Sequence, residues 1–520
     1  MKRILYTLAG IMTMIIVFST SSCYTFPFSS NIIDETTTDI IETDASGLVY
    51  EYLSDETYCV IKYSGTENNV TIPATYQGKP VTSIGDLAFS GCTSLTNISI
   101  PDSIISIGYN AFSGCSNLTY HTDGNTYRYL GNSNNPYLVL YEVSETTTIF
   151  NVHSSTKIIY SQAFYNCSSL IRVTLSDNVT HIGNYAFYGC SKLKKIDIPA
   201  QITSIGSSTF ENCSQLASVT IPSGVTSIGD SAFRGCSNLN SIALPKGIVS
   251  IGNLAFGNCH SLTSISIPST VNSIGNKIFD RCSNIHVAQI PISCLNQIPK
   301  SDLQFVVITD GDKIPVSAFS NCSKLKEVAI SNTITSIERE AFDGCYSLES
   351  IVIPKSVKHI GENAFDKCHD LSSIYFTGSE EEWRSIDAWD AKLPVNANFY
   401  FDHKPLTASE AGTLGLLYTQ IDSNRCSVSE YVGTDADVII PPSHHGKTVT
   451  SIGISAFYKC LQLKTIVIPN SVTSISTLAF KNCYSLTDIY YTGTEQEWNA
   501  VNKTLADIPS TVTIHYNYVP

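Results

Sequence analysis

A Phe-x-x-Cys pair recurs thirteen times along this 520-residue chain, and it constrains the fold more than any other feature. Consecutive phenylalanines are 23 residues apart in nine of the twelve intervals, and residues 222–244 are one clean copy. Burial of the apolar side chains in one copy yields roughly 10–20 kcal/mol. Ordering the backbone of one copy costs at least as much. A single copy therefore cannot fold alone, so the copies must stack and share a core.

Each part of the copy predicts a local structure. Leu239, Ile242 and Leu244 place apolar side chains on a half-buried strand, which Pro245 ends because proline cannot donate to a ladder. Residues 230–236 predict one or two helical turns. The expected fold is an α/β repeat solenoid with 23-residue repeats, a parallel sheet on one side and short helical turns between the strands.

The period and the wording I-P-x-x-V-x-S-I-G-x-x-A-F-x-x-C resemble the BspA-type leucine-rich-repeat family of bacterial surface proteins, over nearly all of residues 47–518. The resemblance implies a leucine-rich-repeat horseshoe that is displayed on a cell surface and binds proteins of a host or neighbouring cell. It implies no shared catalytic residues.

The repeats group into two modules separated by a linker. Module 1 spans residues 47–402 and module 2 spans 415–518, with residues 403–414 between them. Module 1 carries insertions near 116–160 and 283–312, because two of its phenylalanine intervals are longer than 23 residues. Insertions in solenoids emerge as loops on one face, often the binding face. The alternative is a structural flap that only extends the sheet.

The two modules begin with matching segments, Gly47–Tyr50 and Gly415–Tyr418, at an offset of 368 residues, and they also end alike. Each ends in Gly, then Ser or Thr, with Glu three residues later and Trp next, as in Ser379 to Trp383 and Thr494 to Trp498. This spacing predicts a capping box that opens a helix. These segments are expected to cap the last repeat of each module, whose core and sheet edge would otherwise be exposed.

The N-terminus reads as an export signal. Lys2 and Arg3 precede an apolar run from Ile4 to Phe18, and small residues lead into Cys23. Residues 1–22 are therefore assigned as a signal peptide, and residues 23–46 as a polar tether that begins at a lipidated cysteine. The alternative is ordinary cleavage nearby, with Cys23 carrying no lipid. The expected location is the cell surface, with a lipid anchor in the outer or cell membrane.

Thirteen of the seventeen cysteines occupy one position of the repeat, so they are expected to stack as a structural ladder of buried free thiols. Disulfides between neighbours are the alternative, but each interior cysteine would have two equivalent partners. No C-x-x-C pair occurs, and neither a metal site nor a cofactor is predicted. The ladder residues are Cys92, Cys115, Cys167, Cys190, Cys213, Cys236, Cys259, Cys282, Cys322, Cys345, Cys368, Cys460 and Cys483.

The function predicted from the sequence is binding. Nucleic acid is not a predicted ligand, because 45 acidic residues outnumber 31 basic ones and no basic cluster follows the N-terminus. No catalytic motif is visible, so the chain is not expected to be an enzyme. Outward strand positions are mostly small and hydroxyl-bearing, and aromatic anchors concentrate in the first insertion and the caps. The candidate binding residues are Tyr127, Tyr129, Tyr137, Tyr375 and Tyr490.

Three functional hypotheses remain open at this point. The leading one is an adhesin-like protein that recognises an extracellular protein or glycan through many weak contacts along the solenoid. The second is a structural surface scaffold without a foreign ligand. The third is an enzyme whose chemistry is hidden in an insertion, which would require convergent titratable groups near residues 116–160 or 283–312.

Overall fold

The structure is a computed structural model, and it describes residues 41–122, 126–402, 413, 415–431, 433, 436–444, 446–503 and 505–519. The described residues fall into two compact units. The first unit runs to residue 119 and also includes residues 131–133. The second unit consists of residues 120–130 and the chain from 134 onward.

The first unit begins with an antiparallel hairpin on which the first repeats build. Its strands are β1 (Ile41–Thr43), β2 (Leu48–Tyr52), β3 (Tyr58–Tyr63), β4 (Asn69–Thr71), β5 (Thr75–Tyr76), β6 (Lys79–Ile84), β7 (Asn97–Ser99) and β8 (Ser106–Ile107). One sheet follows the order β1-β2-β3-β6-β5, with β8 beside β6. β2 and β3 are antiparallel, whereas β3, β6 and β8 are mutually parallel neighbours.

The second unit holds the remaining strands, two short α-helices and one 3-10 helix. Its strands are β9 (Tyr127–Leu130), β10 (Val139–Val143), β11 (Ile149–Asn151), β12 (Ile158–Ile159), β13 (Arg172–Thr174), β14 (His181–Ile182), β15 (Lys195–Asp197), β16 (Ser204–Ile205), β17 (Ser218–Thr220), β18 (Ser227–Ile228), β19 (Ser250–Ile251), β20 (Ser264–Ser266), β21 (Ser273–Ile274), β22 (Val287–Ile290), β23 (Phe305–Ile308), β24 (Lys313–Ile314), β25 (Glu327–Ile330), β26 (Ser336–Ile337), β27 (Ser350–Ile353), β28 (His359–Ile360), β29 (Ser373–Phe376), β30 (Asn398–Tyr400), β31 (Leu416–Gln420), β32 (Arg425–Tyr431), β33 (Asp437–Ile439), β34 (Ser443–His444), β35 (Lys447–Ile452), β36 (Thr465–Ile468), β37 (Ser474–Ile475), β38 (Asp488–Tyr491) and β39 (Thr513–His515). The helices are α1 (Glu380–Arg384), α2 (Glu495–Ala500) and the 3-10 helix Ile292–Gln297.

The repeats pair through parallel strands, as a leucine-rich-repeat solenoid requires. In one ladder, Ser204 pairs with Ser227, which pairs with Ser250, which pairs with Ser273. A second ladder is a seven-stranded sheet in the order β20-β22-β23-β25-β27-β29-β30, parallel throughout. Neighbouring repeats are thus joined by parallel strands in one or both of these ladders. Each repeat is therefore held by the repeats on either side of it.

The repeat phenylalanines form continuous stacks through the core. Phe233 lies 5.3 Å from Phe210 and 5.5 Å from Phe256 between ring centroids, with interplanar angles of 16° and 5°. Its side chain is fully buried. Offset stacking of aromatic rings adds to the free energy gained by burial. The phenylalanine therefore stabilises two repeat interfaces at once.

The ladder cysteines are free thiols with a defined hydrogen-bonding role. The Cys236 thiol donates to the carbonyl of Phe210 in the preceding repeat, over 3.2 Å between Sγ and the oxygen. The same 26-residue spacing recurs at nine of the thirteen cysteines, with distances of 3.0–3.2 Å. Of the thirteen, only Cys92 and Cys460 are partly exposed. The thiol is a small donor that fills the core and bonds a buried carbonyl.

The predicted helical turns do not form, and the backbone explains why. Ser231, two residues before Phe233, has φ 55°, and Gly235, two residues after it, has φ 75°. A residue in the left-handed region interrupts a right-handed helix. The same position two residues before the phenylalanine is left-handed in other repeats, for example Tyr185 and Leu254. The segment between the strands is therefore a series of tight turns, and the described residues contain few helices.

The two predicted capping boxes are confirmed. The Ser379 side chain accepts from the Glu382 N–H while the Glu382 carboxylate accepts from the Ser379 N–H, and Thr494 and Glu497 repeat the arrangement. Trp383 packs edge-on against Phe376, with ring centroids 5.2 Å apart. The parallel strands β30 and β39 follow these helices and pair with β29 and β38. A helix and a strand thus cover the end of each run of repeats.

Candidate binding surface

The strands β13, β15 and β17 present a polar outward face. Along each strand the middle residue is buried and its two neighbours are exposed, as alternation dictates. The exposed side chains are Arg172, Thr174, Lys195, Asp197, Ser218 and Thr220. Lys195 and Asp197 form an ion pair of 2.8 Å on this face. This surface is open to a partner and carries both charges and hydroxyl groups.

The first insertion forms the antiparallel hairpin β9–β10, and one side of it carries a group of rings. The Tyr137 ring stacks on His153 with centroids 3.9 Å apart and meets His121 edge-on at 4.4 Å. The Tyr137 hydroxyl lies 2.6 Å from His121 Nε2, and His153 Nδ1 lies 2.9 Å from Ser155 Oγ. Both histidines are exposed and Tyr137 is half-buried. These residues form a preorganised aromatic surface, because stacking and hydrogen bonds fix the rings.

A second ring group lies on β10 and its neighbours. Tyr141 stacks on Tyr160 at 5.0 Å and lies 4.7 Å from Tyr120. The Arg128 guanidinium lies 5.3 Å above the Tyr120 ring and pairs with Glu142 at 2.7 Å. Tyr120 and Tyr141 are half-buried. The insertion therefore presents tyrosine and arginine side chains together, and both residue types are enriched in protein interfaces.

The five tyrosines predicted as binding residues lie in different surroundings. Tyr127 and Tyr137 are half-buried in the insertion, whereas Tyr129 is only 2% exposed and contacts both rings from the core side. Tyr490 is half-buried and its ring stacks on His515 near the last strand. Tyr375 is 4% exposed. The buried Tyr129 and Tyr375 contribute mainly to packing.

Tyr375 is buried because the hairpin β31–β32 covers the outward face of the seven-stranded sheet. Val287 and Phe305 point outward from β22 and β23, and both pack with Leu417 of β31 in one buried apolar cluster. The Lys447 ammonium donates to the Tyr375 hydroxyl over 3.5 Å. Burial raises the pKa of Tyr375 to about 12. The sequence does give one sign that the hairpin covers this sheet. Val287 and Phe305 are apolar at the strand position where β15 and β17 carry the polar residues Lys195 and Ser218.

Polar groups converge where this hairpin meets the sheet. A cavity of about 200 Å³ lies between them, lined on one side by Glu327 and Glu349 and on the other by Tyr418 and His444. The His444 Nε2 lies 3.8 Å from the Glu327 carboxylate. Burial, together with the neighbouring Asp370 and Glu327 carboxylates, raises the pKa of Glu349.

The described residues hold no group of three or more His, Cys, Asp and Glu side chains placed to bind a metal ion. Within the same residues, no helix has both the length and the apolar character needed to cross a bilayer. Cys23, the predicted lipidation site, lies outside the described residues, as do most residues of the predicted linker 403–414. The ladder cysteines lie in the core and serve packing.

The family profile described as "BspA type Leucine rich repeat region" matches residues 62–134, 139–232, 215–305, 300–387 and 439–501, together more than half of the chain. No curated protein matches the chain.

Two solved structures illustrate the similarity. A leucine rich cell surface protein from Faecalibacterium prausnitzii is 28% identical, with 91% of this chain and 99% of that chain covered and a TM-score of 0.26. A leucine-rich repeat protein from Bacteroides ovatus is 22% identical, with 93% and 99% covered and a TM-score of 0.30.

Proposed function

Because the chain belongs to the BspA-type leucine-rich-repeat family, we propose that it is an adhesin-like binding protein displayed on a bacterial cell surface. Its partner in this proposal is a protein or glycan of a host or neighbouring cell. The 23-residue unit supplies a long row of equivalent outward positions, and binding along them sums individually weak contacts. The chain acts without catalysis, metal or cofactor, and it does not bind nucleic acid.

The observation that carries the proposal is the ring group around Tyr137. Its exposed histidines and half-buried tyrosine lie outside the phenylalanine stacks of the core. Rigid aromatic side chains supply contact area at low entropic cost, which is why they dominate the energetics of interfaces. The Arg128–Glu142 pair on the hairpin adds charge at the rim. The first insertion is therefore the proposed primary contact, and the polar face of β13–β17 is a secondary one.

The proposal includes anchorage. Lys2, Arg3 and the apolar run after them support export, and Cys23 is the proposed site of a lipid anchor to the outer or cell membrane. The proposed tether to that anchor is residues 24–40. The tether expected from the sequence is shortened at its end, because Ile41–Thr43 form β1 and pair with β2. The proposed organisation is two modules, 47–402 and 415–518, joined by the linker 403–414. The apolar cluster from Tyr129 to Ala391 is separate from the cluster from Leu416 to Ala506, which supports a boundary between the two modules.

A binding screen tests the proposal. The purified chain is presented to immobilised extracellular-matrix proteins and cell-surface glycans, and saturable binding to a defined target is expected. The variant Tyr137→Ala is expected to raise the Kd at least tenfold, because it removes the ring that both histidines contact. Tyr484→Ala is the matched control, since Tyr484 is a 79% exposed tyrosine remote in sequence from the insertion.

The outcomes separate the candidate functions. Loss of binding in Tyr137→Ala with the control unchanged supports recognition through the insertion. If Tyr137→Ala and Tyr484→Ala both bind as tightly as the unchanged chain, the insertion is rejected as the contact. No binding across the panel by a chain that circular dichroism shows to be folded rejects the adhesin-like function in favour of a surface scaffold.

A further inference from the structure

The chain contains two copies of a hairpin with two further strands beside it. The first copy is β2–β3 with β5 and β6, and the second, 368 residues later, is β31–β32 with β34 and β35. In the first copy four tyrosine rings pack together. Tyr50 stacks on Tyr76 at 4.0 Å, Tyr58 meets both rings edge-on at 6.1 and 5.1 Å, and Tyr52 lies 5.1 Å from Tyr58. The cluster fills its side of the hairpin with rings.

The second copy keeps the stacked pair and loses the other two rings. Tyr418 stacks on His444 at 3.8 Å, as Tyr50 does on Tyr76. The positions of Tyr58 and Tyr52 are occupied by Cys426 and Gln420, which are much smaller. Both replacements line the cavity of about 200 Å³. The second hairpin therefore has space on the face that tyrosine rings fill in the first.

The polar groups of the two copies also have different partners. In the first copy, the Tyr50 hydroxyl donates to Asp44 over 2.9 Å and Lys79 pairs with Glu56 at 2.6 Å. The matching positions for these two acids are a glycine at 412 and an asparagine at 424. Neither can supply a carboxylate to the second hairpin. The lysine and the tyrosine of the second copy must therefore find other partners.

Tyr418 has not found one. Its hydroxyl oxygen is fully buried and makes no hydrogen bond to any residue that the structure describes. Leaving such a group unsatisfied is costly, so a ligand that hydrogen-bonds to this hydroxyl would be stabilised in the cavity. Lys447, by contrast, donates to the Tyr375 hydroxyl and lies 5.5 Å from the Tyr400 ring. In the second copy the lysine therefore contacts side chains of the sheet, Tyr375 and Tyr400, where the first copy pairs its lysine with Glu56.

The opposite wall of the cavity fixes the chemistry of an occupant. It carries the carboxylates of Glu327 and Glu349 and the ammonium of Lys326, and Lys447 from the hairpin balances the charge. Because the lining carries both carboxylates and ammonium groups, an anionic or a cationic ligand would be repelled by the groups of its own sign. Hydroxyl groups suit the site, because each can donate to a carboxylate and accept from an ammonium. Ser350 and Ser373 add further hydroxyls from the strands.

We propose that the cleft between strands β25, β27 and β29 and the sheet β31-β32-β35-β34 binds one neutral sugar ring, either a free monosaccharide or the terminal sugar of a glycan. Binding sites occur preferentially where two structural elements meet around a few convergent polar groups. The inference deepens the proposed function and rests on it, since it names the chemical class and the place of one contact.

Titration of the purified full-length chain with neutral monosaccharides tests the inference, with binding followed by saturation-transfer NMR and calorimetry. At least one sugar is expected to bind saturably with a millimolar Kd. Cys426→Tyr restores the residue of the first hairpin and is expected to abolish binding by filling the cavity. Glu327→Gln is expected to raise the Kd at least tenfold, or about 1.4 kcal/mol. Tyr58→Cys in the first hairpin is the matched control and leaves binding unchanged.

The outcomes are distinct from those of the screen for the proposed function. If Cys426→Tyr does not fold, as judged by circular dichroism, Glu327→Gln decides. A glycan array distinguishes the two sources: binding to printed glycans with no response to free sugars identifies a terminal sugar. No saturable binding in either format, or binding that survives both variants, overturns the inference. Binding of the chain to an immobilised protein that depends on Tyr137 alone would leave the proposed function standing.

Discussion

Replacing Phe233 with alanine is expected to lower the free energy of unfolding by about 3–5 kcal/mol, the usual cost of removing a buried aromatic ring. The ring is fully buried and stacks on Phe210 and Phe256 at 5.3 and 5.5 Å. Each stacked pair contributes about 0.5–1.5 kcal/mol beyond burial. Because both neighbours lose a partner, the damage extends to two repeat interfaces and belongs at the upper end of the range.

Chemical denaturation followed by circular dichroism measures the loss. Hydrogen exchange of the amides in β17 and β18 measures it locally, since long repeat arrays need not unfold in one step. Asn238→Ala in the same repeat is the control: this side chain is exposed, and its removal is expected to change stability by less than about 0.5 kcal/mol. A loss below about 1 kcal/mol for Phe233→Ala would refute the reasoning that stacking couples the repeats.

Three further predictions concern the thiols, a cap and the covering hairpin. An ordinary cysteine thiol has a pKa of 9.0. Burial raises the pKa of Cys115 to about 11 and the pKa of Cys167 and Cys368 to about 12. Their protonated forms stabilise the fold fully below pH 9, and this stability is lost as the pH rises through 11 to 12; denaturation midpoints that stay flat from pH 8 to 11 would contradict this. Thr494→Ala removes the side chain that caps α2 and is expected to cost about 1 kcal/mol in thermal unfolding, whereas no change would show the cap to be dispensable. Leu417→Ala is expected to cost about 2–5 kcal/mol and to speed hydrogen exchange in β31, and unchanged exchange would mean that the hairpin is not held by its apolar cluster.

The repeat architecture could be predicted because its determinants are local and recur. The spacing of Phe233 and Cys236 places both in the core, and a proline such as Pro354 directly follows a strand, β27. In the copy 222–244 the strand predicted before Pro245 is reduced to an isolated bridge between Ala243 and Thr220. The capping boxes at Ser379 and Thr494 could be predicted for the same reason, since four consecutive residues define them. Once the period is known, the stacking partners of each repeat are known as well.

The prediction of helical turns was wrong because the backbone of these segments depends on left-handed residues that ordinary side chains disguise. Ser231 and Leu254 give no sequence sign of positive φ, and glycine or asparagine at the second left-handed position resembles a helix end. An apolar Ala-Phe pair in a short polar segment therefore has the sequence pattern of a helical turn, although the segment does not form one.

The covered sheet could not be predicted because it joins residues far apart in sequence. Val287 and Phe305 on the sheet meet Leu417 of the hairpin. Strand alternation alone places Tyr375 on the surface, but its burial depends on a segment 40 or more residues later. By contrast, the hairpin β9–β10 next to Tyr137 could be predicted, because it is formed by residues that are close in sequence.

The most direct test of the proposed function is a hydrogen-exchange footprint of the chain with a target that it binds saturably. Protection is expected in the insertion, over residues 126–160, and along the polar face of β13, β15 and β17. The exposed turns that come after the repeat cysteines, such as the one around Tyr484, are expected to exchange at unchanged rates. Protection confined to those turns, with none in the insertion, would contradict the proposal that the chain recognises its partner through the Tyr137 ring group.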